Sequence, residues 1–256
     1  MSAVADSPWT RQRSNRAARL ARAGALAGVR GKSVDADTVV ALLEALIEPG
    51  DRVCLEGDNQ KQADFLARAL TQVSPARVHD LHMVQSVLSL PEHLDVFELG
   101  IASQLDFSFS GPQAARLAQL LGQGKLRIGA IHTYLELFGR YFVDLTPKVS
   151  LIAAQYADAQ GNLYTGPNTE DTPAIVEATA FKSGIVIAQV DKIVDKLPRV
   201  DIPADWVDFV VAAPEPAFIE PLFTRDPAQI SEIQVLMAMM AIKGIYAEYG
   251  VQSLNH

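Results

Sequence analysis

Two short runs constrain this chain more than any other feature: LIAA inside KVSLIAAQY (148–156), and IVIAQV (185–190). Each is apolar on both faces of the strand it would form. Strands of that kind need cover above and below, which means parallel neighbours with helices packed on both sides.

The flanking sequence supplies those helices. VDADTVVALLEALI, with Asp35 or Asp37 as its cap, KQADFLARALTQV, PQAARLAQLLGQG, HTYLELFGRYF and DTPAIVEATAFKSG all carry apolar residues at helical spacing. Between them RVCLE, ARVHDLHM, HLDVFEL, KLRIGAI and DWVDFVV read as further strands, and a long helix runs from about Asp226 to Tyr249. The fold class is α/β, a mostly parallel sheet with helices on both faces. Three segments divide the chain: a basic arm (1–33), an α/β domain (34–225), and a helix leading into a second domain beyond this chain (226–256).

With 256 residues, about half of them apolar, the chain has ample material for a sizeable core. A net charge of −8 argues against nucleic acid as a partner, because phosphate binding needs a basic face. No apolar stretch approaches the roughly 18 residues of a membrane span. A single cysteine, Cys54, lies within a strand and reads as a core residue in a reducing, cytoplasmic setting. The arm holds arginines at 11, 13, 16, 19 and 22 without an acid, and reads as a strap onto the domain or a partner subunit.

In parallel sheets ligands bind beyond the carboxyl ends of the strands, so the loops after strands are the ones to inspect. LEGDNQKQADFL (55–66) sets acids, amides and a lysine at the mouth of a buried strand. Gly57 permits a sharp turn, and Asp58, Asn59 and Gln60 either present donors to an anion or cap the following helix. GNLYTGPNTEDTP has the same two readings: Gly166, Asn168, Thr169 and Glu170 form a ligand-binding turn, or a hairpin running into a capped helix. Gln189 ends a strand too apolar to hold an amide without a partner. The histidines carry less. His79 and His82 lack a third ligand, so no metal site is expected; His132 reads as a helix cap and His93 as solvent-facing.

The order of these loops and strands resembles the first half of the class I coenzyme A transferase fold. The resemblance lies in Asp158, Gly161, Leu163 and Gly166, in Val186–Asp191 and Pro198, and in GDRVCLEGD. More narrowly, LEGDNQKQADFLARAL, the run from VHDLHMVQSVLSL through SGPQAARL, and GNLYTGPNTEDTPAIVEATAFK resemble the malonate decarboxylase α-subunit family across the whole chain. The family implies a transferase that exchanges acetyl for malonyl on an acyl carrier protein. No cofactor is then bound directly; the phosphoribosyl-dephospho-coenzyme A prosthetic group sits on the carrier subunit. The partners implied are that carrier, the decarboxylase subunits, malonate and acetate.

In coenzyme A transferases the nucleophilic glutamate lies in the second half of the fold. This chain therefore reads as an N-terminal domain whose catalytic residue is unknown, with Gly57–Gln60 facing Asn168 and Thr169 as carboxylate and oxyanion donors. Alternatives are the citrate lyase α subunit, another coenzyme A transferase or acyl-coenzyme A hydrolase, and a non-catalytic ligand-binding domain.

Overall fold

A computed structural model describes residues 7–57, 61–166, 171–216 and 230–250. It divides into two compact units, Met1–Glu220 and Pro221–His256. In the first, the strands are β1 (Val29–Arg30), β2 (Ser33–Val34), β3 (Arg52–Leu55), β4 (Leu81–Val87), β5 (Ala102–Phe109), β6 (Arg127–Ile131), β7 (Val149–Ala157), β8 (Leu163–Tyr164), β9 (Ile185–Ile193) and β10 (Phe209–Ala212). The helices are α1 (Pro8–Gly24), α2 (Val39–Leu46), α3 (Asp64–Leu70), α4 (Glu92–Glu98), α5 (Ala114–Gly122), α6 (Tyr134–Val143) and α7 (Thr172–Phe181).

The strands form one sheet in the order β1-β2-β10-β9-β7-β3-β4-β5-β6, with β8 set off against β7. Its pairings are parallel apart from β1 with β2 and β7 with β8. Val149–Ala154 of β7 and Ile185–Val190 of β9 are buried throughout, as expected of strands covered on both faces. Two apolar clusters supply that cover. One gathers residues of α2, α3, α4 and α5, including Leu42, Leu66, Leu94 and Leu117. The other gathers residues of α6 and α7, including Leu137, Tyr141, Ile175 and Val176. Right-handed crossovers put α3, α4 and α5 on one side as the chain moves outward, and α7 on the other when it returns.

HLDVFEL is a helix, not a strand. His93, Leu94, Val96 and Phe97 are the buried residues of α4, a helical spacing that alternation does not match. The strand of this region is β5. ARVHDLHM yields a strand only from Leu81, because Asp80 before it takes a left-handed φ of 55°. The basic arm is helical. Ser7 caps α1, and Arg16, Arg19 and Arg22, three apart, fall along one side of it. Arg16 pairs with Asp208, Arg19 with Asp51 and Glu48, and Arg22 with Glu48.

The second unit contains α8 (Glu232–Tyr249), opened by a reciprocal cap between Ser231 and Gln234 and closed by Gly250 at φ 60°. Residues 226–229, expected in this helix, lie outside the described residues. Among the described residues no helix is long and apolar enough to cross a membrane.

Candidate active site

From β3 the chain lays down β4, β5 and β6 outward, then returns to place β7 on the opposite flank of β3. The strand order therefore reverses between β3 and β7, and the crevice at their carboxyl ends is where open α/β sheets bind ligands.

Glu56 stands at that point, directly after β3. Its N–H still donates to Leu151 of β7 at 2.9 Å, and its side chain is fully buried on the α7 face. Glu56 Oε2 accepts from Ala153 N at 2.6 Å, and Oε1 lies 3.2 Å from Lys61 Nζ. Lys61 Nζ donates to Thr172 Oγ1 at 2.8 Å, and that hydroxyl donates to Glu56 Oε1. Beside them Ser86 Oγ donates to Asp171. A buried charge pair persists only when hydrogen bonds satisfy its remaining atoms, and this one is closed by groups from β3, β7 and the first turn of α7. Both Glu56 oxygens are engaged in these contacts.

On the opposite face the loop after β3 closes on itself. Gly57 bridges Gln62, Ala63 N donates to Glu56 O, and Val87 N donates to Gly57 O at 2.9 Å. A Cβ on Gly57 would lie 2.5 Å from His93 Cε1 and 2.9 Å from Gln62 Oε1, so only glycine fits. His93 is buried completely beneath it. Its Nδ1 accepts from Ser89 N at 3.2 Å, which leaves the ring proton on Nε2. Burial lowers its pKa to about 4, outweighing the pull of the Val87 carbonyl. The expectation of a solvent-facing His93 is thus overturned: a helical turn, where a strand was expected, rotates it inward.

The other expected site residues divide three ways. Asp58, Asn59, Gln60, Asn168, Thr169 and Glu170 lie outside the described residues. Gly57 follows β3, and Gly166 follows β8, the short strand paired with β7. Gly166 has φ 79°, and a Cβ there would meet the Gln155 side chain at 2.8 Å. Gln189 faces α3: its Oε1 accepts from Leu66 N at 3.0 Å, and its Nε2 donates to Asp64 Oδ1 at 2.8 Å. Lys61, Ser86, Asp171, Thr172 and His93 were not among the expected site residues. Lys61 and Thr172 stood in the quoted stretches, but only the returning chain brings them together.

A second polar cluster sits on β4, on β5 and just past the end of β6. Asp106 receives His82 Nε2 at 2.6 Å and His132 Nε2 at 2.9 Å. Arg52 Nε reaches His82 Nδ1 at 3.3 Å. His132 is therefore no helix cap; Thr133 caps α6 by accepting from Glu136 N. Burial pushes the Asp106 carboxyl up, but the bonds from His132 and His82 win and hold it below the ordinary range. Its stabilisation is present above about pH 4 and is lost as pH falls through its lowered native value. Asp106→Ala orphans two imidazole N–H groups, at an expected cost of roughly 1–3 kcal/mol each, read from the urea midpoint. Among the described residues no cluster has the makings of a metal site. Cys54 is no nucleophile: burial, with Asp171 nearby, raises its thiol well above the usual range.

Comparison with known proteins agrees with this geometry. The family model described as malonate decarboxylase, alpha subunit, transporter matches residues 8–256. A Malonomonas rubra protein named acetyl-S-ACP:malonate ACP transferase is 64% identical over 225 residues, covering 88% of this chain and 41% of its own length. The crystal structure of a Pseudomonas malonate decarboxylase hetero-tetramer in complex with malonate matches with TM-score 0.87 and 60% identity, over 98% of this chain and 46% of that one. The malonate decarboxylase alpha subunit of Acinetobacter baumannii matches with TM-score 0.86 and 55% identity, over 97% and 46%. An acyl-CoA transferase of Escherichia coli (18%, TM-score 0.58) and a citrate lyase α subunit of Streptococcus mutans (14%, 0.59) share the fold alone. This chain spans less than half the length of these malonate decarboxylase relatives. By a match that runs from residue 8 to residue 256 and takes in every crevice residue described above, the chain belongs to the malonate decarboxylase α-subunit family.

Proposed function

We propose that this chain supplies the sheet-crevice half of an acyl-carrier-protein transferase. The reaction is acetyl-S-carrier plus malonate giving malonyl-S-carrier plus acetate. The observation that carries the reading is the 64% identity to a protein named for that transfer. A crevice of buried, internally bonded polar groups at the strand-order reversal supports it, because acyl transfer needs donors fixed before the charge develops.

In this reading Gly57, Asp58, Asn59 and Gln60 act together with Gly166, Asn168, Thr169 and Glu170. Between them they offer donors to the substrate carboxylate and to a tetrahedral oxyanion. Gln189 acts at one remove, holding the first turn of α3. The thioester arrives on a carrier protein bearing a phosphoribosyl-dephospho-coenzyme A arm, which this chain meets as substrate. Carrier and decarboxylase subunits are its partners, in keeping with the hetero-tetramer described for the Pseudomonas relative.

The test is acetate release from acetylated carrier, with malonate, citrate or acetate as acceptor. It compares the 256-residue chain with a polypeptide extended to the length of its relatives. Malonate-dependent release by the longer form is the expected result. No release by either form with any acceptor would overturn the proposal, and release with citrate in preference would reassign the substrate.

A further inference from the structure

The end of the sheet away from the crevice gathers cations that have no carboxylate to hold. Arg52 opens β3, and Lys148 stands immediately before β7. The register sets Val53 beside Val149 and Cys54 beside Ser150, and Lys148 N donates to Arg52 O at 2.8 Å. One step back along both strands, Arg52 and Lys148 are therefore neighbours on the face that α6 and α7 cover. Like charges so placed repel.

Arg16, Arg19 and Arg22 of the strap each hold a carboxylate. Arg52, half-buried, does not. Its Nε meets His82 Nδ1 at 3.3 Å and its Nη1 donates to Thr146 O at 3.2 Å, two acceptors that fix the guanidinium plane. Among the described residues its Nη2 makes no hydrogen bond, and the exposed Lys148 Nζ makes neither a hydrogen bond nor an ion pair. Burial lowers the Arg52 pKa, and the charges of Asp144 and Asp106 do not make up the loss.

Both residues line one cavity of about 210 Å³, with Lys182, which follows α7, and Gln12 of the strap. Gln12 Nε2 donates to Lys182 O and so ties the strap to that wall. The acid on the wall, Asp144, has both oxygens bonded to Arg140. A second cavity of about 170 Å³ shares Gln12 and Lys148 and adds Arg16 and Arg19. A concave site with cations from two strands, whose one carboxylate is already engaged, has the electrostatics of an anion receptor.

We propose that the larger cavity binds a small doubly charged oxyanion, a phosphate or a dicarboxylate, between Arg52 and Lys148. Arg52 Nη2 and Lys148 Nζ donate to different oxygens of the one anion, in charge-assisted hydrogen bonds that also relieve the repulsion between the two cations. The site lies at the amino ends of the strands, and Glu56 and Gly57 follow the carboxyl end of β3, so its occupant does not displace a ligand from the crevice. The inference stands independently of the transferase reading.

Calorimetric titration and thermal unfolding of the chain test it, with inorganic phosphate and malonate as separate probes and sodium chloride at matched ionic strength as the control. Phosphate is expected to raise Tm above the chloride value, because it binds the folded state alone. Lys148→Gln alters an exposed residue without side-chain bonds, so it is expected to keep the wild-type Tm in chloride while weakening the Kd for phosphate roughly tenfold or more. Arg52→Lys keeps the charge but loses the planar fork; it is expected to weaken Kd similarly and to melt lower, because His82 and Thr146 lose their donor. Malonate binding weakened by Lys148→Gln, with no response to phosphate, would keep the site and assign it to dicarboxylates. Wild-type Kd for both anions in both variants would place any binding elsewhere and overturn the inference. A Tm response to phosphate and malonate no larger than that to chloride would overturn it as well.

Discussion

Lys61→Met is expected to cost about 3–5 kcal/mol of folding stability, a large share of what a domain of this size commands. Lys61 and Glu56 are both buried, with side chains 2% and 0% exposed, so solvent cannot take over when one partner is removed. Glu56 would keep Ala153 N and the Thr172 hydroxyl but lose its cation, leaving a buried charge uncompensated. Equilibrium urea unfolding checks this as a fall in midpoint at unchanged slope. The double substitution Glu56→Gln with Lys61→Met should recover much of the loss, since removing both charges also removes their desolvation. A loss below about 1 kcal/mol for Lys61→Met would mean that the pair behaves like an exposed one, and that water enters the crevice in solution.

The second large effect belongs to acid. His93 has a native pKa of about 4 against about 6.5 for an unperturbed imidazole. Between those values the unfolded chain binds a proton that the folded chain refuses, so stability falls as pH falls. The loss begins near pH 6.5 and is complete near pH 4, where it amounts to about 3 kcal/mol. Asp106 acts lower, through its own depressed carboxyl, so the two windows adjoin without coinciding. Unfolding free energies at pH 6.5, 5.5 and 4.5 separate them: His93→Asn should flatten the dependence over that range. An equal slope in wild type and variant would place the proton uptake elsewhere.

The layered sheet was legible because burial on two faces writes a continuous apolar run, as in LIAA and IVIAQV, that few other structures tolerate. α4 was misread because a two-turn helix with Leu94, Val96 and Phe97 inward offers too few residues to separate a period of 3.6 from one of 2. That error concealed His93, which the helix turns inward under Gly57. The loop after β3 was visible as a polar anomaly at the end of a buried strand. Its partners were not, since Thr172 comes 111 residues after Lys61 and Asp171 comes 85 after Ser86. Spacing along a chain holds no record of which strand returns to lie beside which. The His82–Asp106–His132 cluster was hidden for the same reason: its residues come from two strands and the end of a third, and each alone looks like an isolated polar intrusion.

The reversal of strand order also sets a timetable for synthesis. β3 is translated early, yet its flank against β7 stays open until residues 149–157 have emerged, and Glu56 and Lys61 lack the Thr172 hydroxyl for longer still. On the ribosome β3, β4, β5 and β6 can assemble into a half-sheet whose inner edge is an uncovered parallel strand ending in a lone ion pair. Such an edge is a template for any passing strand. One stretch open to mispairing in the nascent chain is therefore one that becomes interior to the finished sheet, and a pause in translation before α7 would lengthen that exposure.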